Sequence, residues 1–219
     1  MIIRKPLPGE RWLLYSPIGL RLLDDITGKM PLGSVKAVLD RRDSAGNWQE
    51  TKIKAVMTPS GNLTYPRLER HPDVSGPARR YRVRIEADFY AAMYRATRDG
   101  IEFDVFPYND SNPPRTLPPP LPQDVTLTPA SNYPFQPHIP VLRGRVVDVN
   151  NEPVADSIVQ QGLQERVVTD TRGVFALPLR WVQPNVQVFI DATHPRTGRV
   201  GSIPIKIPQD LGQNHHISI

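Results

Sequence analysis

Apolar and polar residues alternate with period two along most of this 219-residue chain. Successive side chains of a strand point to opposite faces, so such alternation predicts half-buried strands. In the first half the pattern marks "IGLRLLDD" (18–25), "SVKAVLDRRD" (34–43), "NWQETKIKAVM" (47–57), "NLTYP" (62–66), "RYRVRIEADFY" (80–90) and "IEFDVFPY" (101–108). The second half adds "VLRGRVVDV", "SIVQQGL", "ERVVTD", "GVFALPL", "VQVFIDAT", "GSIPIKIP" and "HHISI". Gly, Pro, Asn and Asp punctuate these runs, as turns require. One stretch departs from the pattern: "ADFYAAMYRATRDG" has helical propensity over 91–96 and reads as a short helix or a strand-to-strand turn. The spacing of short strands predicts an all-β protein, a sandwich or a barrel.

Proline sets the division into domains. There are 25 prolines in the chain, and they crowd the stretch 113–140. Proline fixes φ and removes a backbone donor, so this stretch is expected to hold no helix or central strand. "PPPLP" favours extended polyproline II, a stiff spacer. The expected organisation is an extended arm over 1–16, a sandwich over 17–110, a proline-rich linker over 111–140 and a second sandwich over 141–219. The halves also echo each other. "VMTPSGNLTYP" lines up with "VTDTRGVFALP", setting Gly61 on Gly173, Leu63 on Phe175 and Tyr65 on Leu177. "VRIEADFY" lines up with "VFIDATHP", setting Ile85 on Ile190 and Ala87 on Ala192. A duplicated sandwich gives such an echo, and so does shared strand-and-turn grammar.

The second half resembles the carboxypeptidase regulatory-like domain, a transthyretin-like β-sandwich related to immunoglobulin-like ones. Gly144, Val146 and Asp148 match the opening strand of that family. Pro153, Val154 and Val159 match the next element, and Asp170, Gly173 and Phe175 match a later hairpin. Asn150 and Asn151 stand where a glycine turn is usual, Asp156 stands where glycine is common, and Ser157 stands at the usual alanine. The resemblance covers about 141–219, with a weaker echo over about 17–109, and implies a fold rather than an activity. The residues have structural reasons of their own. Asp148 is placed to cap a turn, an Asn to take positive φ, and Phe175 with Leu177 to face the core.

Chemistry is hard to find. The chain has no cysteine, which excludes disulfides and thiolate catalysis. Asp148, Glu152, Asp156 and Asp170 are close enough in sequence to suggest Ca²⁺, but no acidic loop of the EF-hand kind is present, and turns explain the acids. His71, His138, His194, His215 and His216 lack the spacing of metal ligands, and His215 and His216 face opposite ways on a strand. Intradiol dioxygenases share a similar opening motif but need two tyrosines and two histidines on iron, and no tyrosine follows Tyr133. Hydroxyisourate hydrolases need a Tyr-Arg-Gly-Ser tail, whereas this chain ends "HHISI". Phosphate-binding and nucleophile-elbow motifs are missing too. No cofactor, metal or small-molecule substrate is therefore expected.

The net charge of +5 is modest and sits mostly in the first half. Its densest point, "RRYRVR" (79–84), interleaves arginine with an aromatic residue, as nucleic-acid binders do. Strand alternation instead puts Tyr81, Val83 and Ile85 on one face and Arg82, Arg84 and Glu86 on a solvated one. No apolar run approaches the ~18 residues of a membrane span, and the opening residues do not read as a secretory signal. The expectation is a non-enzymatic structural protein, made in the cytoplasm and carried in a phage tail or a tail-like contractile particle. It would bind neighbouring subunits through arm and linker, with Trp12, Tyr15, Tyr133 and Phe135 as contact residues. An adhesin-like or carbohydrate-binding module is the other reading, for which Tyr90 and Tyr94 form a further aromatic pair.

Overall fold

A computed structural model describes residues 15–92, 99–109, 111–112 and 122–219. Nine strands build the first part: β1 (Gly19–Asp24), β2 (Val35–Arg42), β3 (Trp48–Glu50), β4 (Val56–Met57), β5 (Asn62–Thr64), β6 (Arg79–Ala87), β7 (Tyr90–Ala92), β8 (Ile101–Val105) and β9 (Gln123–Pro129). Seven build the second: β10 (Val141–Val147), β11 (Ile158–Gln161), β12 (Glu165–Val168), β13 (Val174–Pro178), β14 (Gln187–Thr193), β15 (Val200–Lys206) and β16 (His215–Ser218). The chain is all-β in its described residues.

Both parts follow one strand plan. In the first, a sheet ordered β4-β5-β1-β9-β7 faces a sheet ordered β3-β2-β6-β8; in the second, β13-β10-β16 faces β12-β11-β14-β15. The opening strand is central in each case. It pairs antiparallel with the later hairpin strand (β1 with β5, β10 with β13) and parallel with the closing strand (β1 with β9, β10 with β16). β4 and β7 are the additions of the first sandwich. Apolar alternation fills two separate cores, one around Leu20, Leu39, Tyr65, Val83 and Leu127, the other around Leu142, Val146, Phe175, Ile190 and Ile217.

The aligned hairpins also agree in detail. Gly61 N–H bonds Thr58 C=O at 2.9 Å, and Gly173 N–H bonds Asp170 C=O at 2.9 Å; both glycines have positive φ, 79° and 71°. A first-position side chain closes each turn, through Asn62 N–H to Thr58 Oγ1 at 3.1 Å and Val174 N–H to Asp170 Oδ1 at 2.9 Å. Asn151, at φ 63°, takes the same place after Asp148, so asparagine substitutes for glycine where left-handed backbone is needed.

Three expectations need correction. The linker expected over 111–140 contains β9, a central strand lying beside β1 from Leu20↔Gln123 to Asp24↔Leu127. The prolines flank it: Pro122 precedes the strand and Pro129 ends it, so the residues between keep their donors, and Val125 and Leu127 are buried. The first sandwich therefore does not end at 110 but runs to its closing strand β9. Residues 130–140 join the two sandwiches, and the "PPPLP" stretch lies outside the described residues. Second, the single strand expected over 47–57 is split: β3 pairs with β2 in one sheet, and β4 pairs with β5 in the other. Third, the short helix or strand-to-strand turn expected over 91–96 begins as strand, with Tyr90, Ala91 and Ala92 forming an edge strand on β9; residues 93–98 lie outside the described residues.

The sandwiches touch. The Arg166 guanidinium grips the Asp25 carboxylate at 2.5 and 2.9 Å, Arg196 pairs with Asp99, and Ser131 hydroxyl donates to Asp170 at 3.2 Å. Phe135, half-buried in the junction, packs against both cores.

Candidate interaction surface

β2 is paired along nearly its whole length on one side, from Val35↔Ala87 to Arg41↔Tyr81 on β6. On its other side β3 reaches only Asp40, Arg41 and Arg42. Thr51 N–H then bonds Leu39 C=O at 2.8 Å, and residues 51–55 turn away toward β4. In the second sandwich the equivalent pairing is complete, from Ile158↔Val168 to Gln161↔Glu165. The difference leaves residues 35–38 of β2 with no strand partner on their outer side among the described residues. Ladder parity identifies the free groups. Ser34 C=O accepts from Asp88 N–H on the β6 side, while Leu39 C=O accepts from Thr51 on the other. Odd-numbered residues thus point outward, and Val35 and Ala37 present N–H and C=O groups with no hydrogen-bond partner among the described residues.

A cleft of about 660 Å³ lies beside this edge, between β2 and the crossing segment. Val35, Ala37 and Leu39 line it from β2, Leu63 from β5, and Ile53 and Ala55 from the crossing segment. Its rim carries Lys36, Lys52, Lys54 and Glu50. Lys36 pairs with Glu86 at 3.2 Å and Glu50 with Arg84 at 3.4 Å, whereas Lys52 and Lys54 are exposed without an ion pair among the described residues. The sequence hides this feature. Alternation continues through "ETKIKAV" as if pairing continued, and nothing local marks where the chain leaves β2.

The arginine-rich strand is neutralised from within. β6 alternates as expected, with Tyr81 and Val83 in the core. Its outward arginines are not simply hydrated. Arg82 and Arg84 both hold Asp40, with nitrogens 2.7 and 2.8 Å from Oδ2, and Asp40 is 2% exposed. Burial acts to raise the Asp40 carboxyl, but hydrogen bonds and charge from Arg84 and Arg82 outweigh it and hold it below the usual carboxylate range. Arg80 pairs with Glu102 at 2.7 Å, and the Arg82 guanidinium stacks 4.7 Å from the Trp48 ring. Phosphate recognition needs free guanidinium groups; these are committed.

The aromatic residues expected at a contact surface are mostly interior. Tyr133 is buried, and its hydroxyl donates to Asp24 Oδ2 at 2.9 Å. Burial first, then Asp24, pushes its phenol above the ordinary range. Tyr90 is buried on the same carboxylate, its hydroxyl 3.2 Å from Asp24 Oδ2. The Phe135 ring lies 4.7 Å from that of Tyr133, tilted by 48°, between the two cores. Tyr15 is half-buried, its ring edge-on to Tyr108 at 5.0 Å. Trp12 and Tyr94 lie outside the described residues. Tyr133 and Phe135, expected as partner contacts, pack within the chain's own junction, where segment 130–140 folds back against β7 and β1.

The turn acids are engaged by their own backbone. Asp148 Oδ1 accepts from Asn150 N–H at 2.8 Å and Glu152 N–H at 2.9 Å, which holds the carboxyl low. Asp170 Oδ1 accepts from Arg172 and Val174 N–H groups. His215 contacts Asp210 C=O at 2.6 Å while His216 is exposed. Among the described residues no three His, Asp or Glu side chains gather around a point where a metal ion would sit.

No family model matches the chain, and no curated protein matches it. Among solved structures it is similar to the Bacillus anthracis TIE protein, at 14% identity and TM-score 0.28, over 93% of this chain and 33% of that one. It is also similar to the shaft pilin SpaA of Lactobacillus rhamnosus GG, at 11% identity and TM-score 0.29, over 93% and 96%. The C-terminal fragment of the pilus adhesin SpaC from the same bacterium gives 11% identity and TM-score 0.21, over 92% and 95%. This chain spans about a third of the TIE protein's length. At such TM-scores the functional reading rests on this chain's own residues.

Proposed function

We propose that this protein is a non-enzymatic structural subunit that receives a neighbouring protein on the open edge of β2. The bare edge beside an apolar cleft carries this reading. Unpaired strand groups are a template for another chain, and natural monomers usually cover or shorten such an edge. The assembly we assign it to is a phage tail or a tail-like contractile particle. The resemblance of the second half to carboxypeptidase regulatory-like domains, which serve as add-on modules of such particles, supports that choice. Two sandwiches braced by Phe135 and ion pairs make a stiff unit, suited to repeated weak contacts that add up around a symmetric particle. The test is sedimentation of the tagged full chain from native lysate, with electron microscopy of the fast fraction. A regular particle containing the chain is expected; a chain that sediments only as a monomer overturns the reading.

The adhesin-like alternative is carried by different residues from those expected. Trp181 and Phe189 of the second sandwich are 65% and 59% exposed, whereas Tyr133 and Tyr90 are buried. Binding on a glycan array that disappears in Trp181→Ala would favour that reading.

A further inference from the structure

We propose that the β2 edge and its cleft take one kind of occupant: an extended segment of a partner protein whose apolar residues alternate with acidic ones, added to the sheet as a fifth strand. The proposal rests on the reading of this chain as an assembly subunit and names what that site recognises. Three features converge. Val35 and Ala37 offer two N–H and two C=O groups in strand geometry, spaced for a ladder of about five residues before β3 blocks the edge at Asp40. The cleft beneath is lined by Leu39, Leu63, Ile53 and Ala55, so every second side chain of an incoming strand enters an apolar space. The remaining side chains meet the rim, where Lys52 and Lys54 are exposed and make no ion pair among the described residues.

Charge decides between occupants. The chain's own first residues, "MIIRKPLPGERWLL", carry Arg4, Lys5 and Arg11 against Glu10 alone, and Pro6 and Pro8 remove two donors. They match the lysine rim poorly, and acidic side chains match it well. Lysines on an edge also serve simply to repel other strands; that role predicts no binding, so the experiment separates the two.

The full chain is titrated with fluorescein-labelled nonapeptides that alternate Val with Glu or Val with Lys, and with a peptide of residues 1–14. The Val-Glu peptide is expected to bind, shifting backbone amide resonances of residues 35–39 and 51–55. Ala37→Pro removes an outward N–H, which an edge strand tolerates, and is expected to abolish binding without changing the melting temperature. The exposed pair Lys52→Glu/Lys54→Glu is expected to weaken the Val-Glu peptide about tenfold and to admit the Val-Lys one. Should Ala37→Pro unfold, the lysine variant decides. Equal binding of both alternating peptides, preference for the 1–14 peptide, or no binding overturns the proposal. Particle incorporation that survives loss of peptide binding sinks this inference alone, while a monomeric chain that still binds the peptide sinks the assembly reading instead.

Discussion

Asp40 anchors the outer face of the first sandwich, because two arginines of β6 converge on one buried carboxylate. Asp40→Ala leaves Arg82 and Arg84 without their shared partner, and removing one side of a buried pair costs about 3 kcal/mol. Urea denaturation should read that loss. Its pH dependence has a definite sign. The folded carboxyl lies below its unfolded value of about 3.9, so it stabilises the protein above that pH and ceases to as pH falls through the folded value. The acid limb of wild-type unfolding should therefore be steeper than that of Asp40→Ala. Tyr133 makes a contrasting case. Tyr133→Phe deletes one of the donors to buried Asp24, and should cost about 1–2 kcal/mol while leaving partner binding unchanged. Impaired assembly in a stable Tyr133→Phe would restore the contact role that the sequence suggested.

At the scale of the element, turn chemistry fixes the hairpins and strand edges fix the interactions. Gly173 shows how tight a turn can be. A Cβ there would sit 2.4 Å from Val146 C=O and 3.1 Å from Val154 N, both backbone atoms, at φ 71°. Gly162 has φ 57° but open space around it. Gly173→Ala should cost about 3 kcal/mol and Gly162→Ala only about 1, the penalty of left-handed backbone alone. Thermal denaturation of both variants checks the ordering; equal losses would mean that the turn near Val146 yields. The β2–β3 hairpin shows the complementary point. Its turn closes as expected, with Asp43 Oδ1 accepting from Asn47 N–H at 2.8 Å, yet pairing stops after three residues, and the open edge is the result.

For the whole molecule, the junction between sandwiches is the determining feature. The Arg166–Asp25 and Arg196–Asp99 pairs are partly exposed, so truncating either arginine should cost about 0.5 kcal/mol. Phe135 packs on both cores, and Phe135→Ala should cost about 3 kcal/mol. Calorimetry should then show two transitions in place of a coupled one. A single unbroken transition in Phe135→Ala would place the coupling elsewhere, in the contact between β9 and β12.

Much of this protein follows from local rules. Period-two alternation in 141–219 places all seven strands of the second sandwich, because each strand hides one face and wets the other. Turn chemistry places Asp148, Asn151, Asp170 and Gly173, because closing a hairpin is a matter of a few neighbouring dihedrals. The echo of Gly61 on Gly173 points to the shared strand plan. What tertiary structure alone decides is partnership at a distance. Proline content argues for a linker around 123–129, yet the proline-free residues within it find β1, a hundred positions earlier, and the hydrogen bonds and burial gained there outweigh the composition around them. The same holds for Tyr133, which is an aromatic residue in a proline-rich stretch until Asp24 supplies its acceptor. It holds for β2, whose alternation is the same whether its outer edge is covered or bare. A strand's sequence specifies its faces; its edges belong to whichever chain reaches them.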